Sequence, residues 1–148
     1  MDNLPLIFKT VSMIFAVASV ATGAQAIIDP TGFSKTFGLP LQTPINAPSS
    51  KDPQVAAENT PQSDRAMAMS YISLAGVRQL GTAITILTFA LQDKWTEVAT
   101  ILAIIGIVVA GTDGIYIARG ATRRAGLLHA IPGALIAALA GAVIYSST

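Results

Sequence analysis

The chain has 148 residues, of which 52% are hydrophobic and 11% charged, against roughly 25% charged in a soluble domain, so lipid is the expected solvent. The mean hydropathy of +0.60 agrees. A net charge of +1 without a basic stripe sets nucleic acid aside as a partner. With no cysteine and one histidine, the sequence gives no basis for a disulfide, thiolate chemistry or a metal site, and no cofactor is expected.

Residues 4–28 form the first apolar segment, interrupted only by Lys9, Gln25 and small hydroxyl residues. It is long enough to span a bilayer, which takes about 20 residues. A cleaved signal peptide is the rival reading, because Lys9 precedes an apolar run that ends in Ala24-Gln25-Ala26, a passable cleavage pattern. Between residues 29 and 65 the composition changes, and six of the eight prolines fall there: Pro30, Pro40, Pro44, Pro48, Pro53 and Pro61. This is the expected long loop. Its first part keeps aromatics and suits the interface, whereas residues 42–63 read as mobile, either a lid or an insert.

Three further spans are predicted, at about residues 66–91, 95–118 and 125–145. The short connections between them predict antiparallel neighbours. The expected fold is therefore all-α, one integral membrane four-helix bundle over residues 1–148 with a long Pro-rich loop between helices 1 and 2. Small residues at four-residue spacing, Gly106/Ala110/Gly114 and Gly133/Ala137/Gly141, predict close helix contact in lipid. Pro132 is expected to weaken or kink the last helix. Lys35, Lys51, Arg65, Arg119, Arg123 and Arg124 lie on one side, against Lys9 and Lys94 on the other, so the positive-inside rule places the long loop in the cytoplasm.

Ionisable side chains inside a span cost several kcal/mol and usually face a bundle interior or a wet cavity. Arg78, Asp113 and His129 are the three. At ~1.5 Å per residue, Asp113 lies ~9 Å in from Arg119 and His129 ~8 Å in from Arg124, at a shared depth. The Arg78 side chain leans back toward the same membrane side. The three are expected to converge in one cavity beneath the loop, Arg78 pairing with Asp113, and histidine being the side chain that titrates near neutral pH. Tyr71, Tyr116, Gln25 and Asp29 are candidates for the mouth of that cavity and for binding substrate. The plainer readings are an internal salt bridge fixing helix register, interfacial tyrosines, and a turn at Asp29-Pro30. Trp95 reads as an interfacial anchor.

The run Asp29-Pro-x-Gly-Phe-x-Lys-x-Phe-Gly-Leu-Pro40, then Gly76-Val-Arg78-Gln-Leu-Gly81, Asp113-Gly114 and His129, resembles the small four-helix membrane proteins grouped as domain of unknown function 4267. The likeness covers most of the chain. The family's arginine motif is usually followed by an acidic residue, and here that position holds Gln79. Members look like accessory proteins of fungal secondary metabolism, some associated with opening or cyclising epoxides on lipophilic polyketides. The resemblance implies such an activity here, in the endoplasmic reticulum membrane, with a lipophilic small molecule and membrane lipid as partners and a homo-oligomer as one option. On that view Asp113 is the base, Arg78 holds it oriented, and His129 is the acid. A pericyclase or isomerase that orders a reactive chain, and a non-enzymatic scaffold, transporter or lipid-binding protein, are the competing classes.

Overall fold

The computed structural model describes residues 3–36 and 61–147, which form five helices and no strand. Helix α1 is Leu4–Ile28, α2 is Pro30–Thr36, α3 is Pro61–Leu91, and α5 is Arg123–Ser147. Helix α4, Trp95–Gly120, is α-helical over Trp95–Ile104 and Ala110–Gly120, with a π-helical turn at Ile105–Val109 between them. Four of the five are long and apolar enough to cross a membrane. Their outer faces carry large apolar side chains, such as Ile107 at 68% and Leu135 at 66% exposure, as lipid-facing surfaces do. Hydroxyls along the spans are satisfied within their own helices: Thr10, Ser12, Thr22, Thr85 and Thr100 each donate to the carbonyl four residues earlier, which makes them tolerable in lipid.

The loop expected over residues 29–65 is partly helical. Asp29 accepts a hydrogen bond from the Gly32 N–H at 2.8 Å and so caps α2. At the far end α3 begins at Pro61, a residue suited to a first helical turn. The Pro-rich stretch of residues 37–60, and with it the question of a lid, lies outside the described residues.

The bundle is built of two tight helix pairs. Helix α1 packs on α3 along Ser12, Ala16, Ser19, Gly23 and Ala26, a stripe at helical spacing that is buried throughout. A β-carbon on Gly23 would stand 2.9 Å from the Gly76 carbonyl oxygen, so the backbones touch there. In the second pair, a β-carbon on Gly106 would strike the Gly133 carbonyl oxygen, and one on Gly114 would stand 2.7 Å from the Ala130 β-carbon. The predicted small-residue contact is thus present along Gly106/Ala110/Gly114 and Gly133/Ala137. Gly126 extends it, and Gly141 faces open space.

The pairs meet at one end only. There Phe8 of α1, Ile86 of α3, Val98 and Leu102 of α4, and Ala140 and Val143 of α5 form the buried core. The same end is pinned outside the core by the Asp93 turn, where φ of 56° suits the short polar side chain. The Asp93 carboxylate accepts from the Trp95 indole at 2.5 Å and from Lys9 at 3.4 Å. Toward the other end the pairs diverge: the α3 backbone comes close to Trp95–Ile104 but not, among the described residues, to within 8 Å (Cα to Cα) of Ala110–Gly120 or of α5.

Candidate functional site

The divergence opens a cleft of about 790 Å³ between the pairs, within the size range of small-molecule sites. Its walls are mostly apolar: Phe15 of α1, Ile72 and Ala75 of α3, Ile105 and Val109 of α4, and Ile136 of α5. The short helix α2 packs against α1 and α3 and contributes Phe33 and Ser34. Two backbone irregularities face each other across the α4–α5 contact. The π turn of α4 contains Gly106, and the Gly133 it touches comes directly after Pro132, which withdraws a donor from the Leu128 carbonyl. A π turn carries one extra residue and so rotates the helix beyond it. The rotated segment is Ala110–Gly120, which turns Asp113 to the cleft wall.

Asp113 and His129 stand together on that wall. The His129 Nε2 lies 3.7 Å from the Asp113 Oδ2. Side-chain exposures of 51% for Asp113 and 30% for His129 leave both reachable from the cleft. Their meeting results from the packing of the very next residues, where Gly114 lies on Ala130 and brings the neighbouring positions of the two helices into register. Tyr71 and Tyr116, both expected at the mouth, line the cleft as well.

Three expected site residues are elsewhere. Arg78 is exposed, does not line the cleft, and forms no ion pair with Asp113 among the described residues. Gly76 faces α1, and two residues further turn the helix by about 200°, which carries Arg78 away from α1 to an exposed face of α3. Gln25 stands the same two residues beyond Gly23 and is exposed for the same reason. Asp29 is the cap of α2 and does not line the cleft.

Gln79 is not among the site residues expected from the sequence, yet it lines the cleft. Its amide Nε2 donates to the Ser19 hydroxyl at 3.1 Å, bridging α3 to α1. A search for charge inside the spans passes over it; a search for any long polar side chain in a span would find it.

Four spanning helices, with a carboxylate–imidazole pair on the wall of an apolar cleft, define a small helical membrane protein with a candidate site for a lipophilic ligand. The profile of the family described as domain of unknown function (DUF4267) matches residues 16–143, and the chain belongs to that family. No curated protein and no solved structure matches it.

Proposed function

We propose that the protein is a membrane-embedded, cofactor-free enzyme that opens epoxides on lipophilic polyketides in secondary-metabolite biosynthesis, as a hydrolase or a cyclase. The observation that carries this reading is the 3.7 Å approach of His129 to Asp113 on the wall of a cleft otherwise lined by apolar groups. The sequence likeness to proteins associated with epoxide chemistry supports the same reaction class.

Epoxide opening needs one proton delivered and one removed. In the proposed cycle a protonated His129 donates to the epoxide oxygen as its C–O bond breaks. Asp113 takes the proton of a water, or of a substrate hydroxyl, as that oxygen forms the new C–O bond. The pair is then a neutral imidazole beside a neutral carboxyl, and return of the proton from Asp113 to His129 restores it. Epoxide and water give a diol, or a hydroxy-epoxide gives a cyclic ether, with no net change in the protons held by the pair. The ion pair itself assumes the orienting role expected of Arg78.

The substrate reaches the cleft from the bilayer, with Tyr71 and Tyr116 at its rim. The endoplasmic reticulum is the proposed membrane, with Lys35, Arg119 and Arg123, at the loop-bearing end of the bundle, in the cytoplasm. That orientation rests on the scarcity of Lys and Arg at the opposite end, where Lys9 and Lys94 lie. Turnover of a lipophilic polyene epoxide by membranes carrying wild type or Asp113→Asn, at matched protein levels, tests the proposal.

A further inference from the structure

The cleft has a second polar position, deeper than the Asp113–His129 pair. Gln79 lies eight residues along α3 from Tyr71, about 12 Å further into the membrane. Ile105 is eight residues from Asp113 on α4, and Ile136 is seven from His129 on α5, so the lining of these helices covers a similar depth. Gln79 therefore belongs with Phe15, Ile105 and Ile136 at the inner end of the cleft, where every neighbouring lining side chain named is apolar.

The amide at this level has unspent hydrogen-bonding capacity. One N–H goes to Ser19, which is itself buried between α1 and α3. Among the described residues the second N–H and the carbonyl oxygen of Gln79 have no partner. Among those residues, too, no buried side-chain nitrogen or oxygen is left with no hydrogen bond at all, so the unpartnered carbonyl oxygen of Gln79 is accessible, and the space this side chain lines is the cleft. An amide in such a setting gains from a polar ligand and resists an apolar one, because unmet hydrogen bonds are costly away from water. The Ser19 contact holds the side chain in place before any ligand arrives, which lowers the entropic cost of using it.

We infer that Gln79 binds a second oxygen function of the substrate, a hydroxyl or a carbonyl several bonds along the chain from the group that reaches Asp113 and His129. The ligand class is an elongated lipophile oxygenated at two separated positions, in preference to a hydrocarbon chain with one. The inference rests on the proposed epoxide reading only for the identity of the reacting group.

The test uses the full chain in lipid nanodiscs and two C18 probes with the same terminal diazirine. One carries a mid-chain ketone and the other a methylene at that position. Wild type is expected to photolabel in the cleft about tenfold more with the ketone, the effect of roughly one net hydrogen bond. Gln79→Met keeps the side-chain length, removes its hydrogen bonds and brings the two probes to parity; Gln79→Leu replaces it if the first variant does not fold. Equal labelling of wild type by both probes, or a ketone preference that survives in the folded variant, overturns the inference. Because neither probe contains an epoxide, ketone preference without epoxide turnover keeps this subsite and removes the proposed reaction. Epoxide turnover without ketone preference does the reverse.

Discussion

The His129 imidazole and the Asp113 carboxylate approach to 3.7 Å across the contact between α4 and α5, one residue along each helix from the point where Gly114 meets Ala130. The chemistry thus depends on close packing of two helices that only small residues allow. If the two side chains act as one proton-transferring unit, removing either removes the unit. Asp113→Asn and His129→Ala are each expected to lower epoxide turnover by about 10²–10⁴-fold. The double variant should be no slower than the worse single one, as for groups that act together. Product formation under single-turnover conditions checks this, and multiplicative losses would separate the two roles.

Arg78 lies outside the cleft, so Arg78→Gln is expected to leave turnover per folded protein within about threefold of wild type, far from the loss at a proton-transfer residue. Its effect should fall on the amount of folded, inserted protein, since a charge this far into a span weighs on insertion. Turnover normalised to folded protein, measured beside Asp113→Asn, distinguishes the two sites. A loss as large as that of Asp113→Asn would return Arg78 to the chemistry.

The glycines on the two faces of α4 and α5 should respond oppositely to a side chain. A β-carbon at Gly106 would strike the Gly133 backbone, which cannot give way as a flexible side chain would. Gly106→Leu is expected to cost at least about 2 kcal/mol and to separate the pair. Gly141 and Gly111 face open space, so alanine there should be neutral or stabilising by about 0.5–1 kcal/mol through helix propensity. Thermal unfolding in detergent, monitored by circular dichroism, reads both outcomes.

Trp95 is the single tryptophan of the chain, and its indole N–H donates to Asp93. That hydrogen bond, and after it the Lys9 charge, holds the Asp93 carboxyl below the usual carboxylate range. A depressed carboxylate keeps its contribution above the ordinary value and loses it as pH falls through the lowered one. Trp95 fluorescence is therefore expected to stay constant from neutral pH down through about pH 4, and to change below it. Asp93→Asn should abolish that acid transition, leaving any other pH response in place.

The spans were legible because their cause is local: apolar composition over 20 or more residues, and small residues at four-residue spacing for the α4–α5 contact. The shared depth of Asp113 and His129 follows from a count of residues from the flanking arginines, but the pair expected at that depth was Arg78 with Asp113, and the structure sets His129 beside Asp113 instead. Arg78 was misplaced because depth does not set rotation. Which face of α3 meets α1 depends on the Gly23–Gly76 contact, and neither glycine belongs to the repeating pattern that marked the other pair. The π turn at Ile105–Val109 has no marker in the apolar run Ile104-Ile-Gly-Ile-Val-Val109 around it, and it sets the direction of Asp113. Helix α2 was hidden by its proline and glycine, although Asp29 and Gly32 stand at the spacing of a cap and its first turn. Gln79 carries no charge, so its place in the cleft could be found only from the packing of α3.

The most direct measurement is product analysis in oxygen-18 water, with purified wild type and Asp113→Asn reconstituted in nanodiscs and given a lipophilic polyene epoxide. The account predicts that wild type forms a diol carrying one labelled oxygen, or an unlabelled cyclic ether where a substrate hydroxyl is in reach, and that Asp113→Asn at equal folded amount forms about 10²-fold less or lower still. Product formed equally well by Asp113→Asn, or no epoxide opened by wild type across a panel of chain lengths, would contradict it.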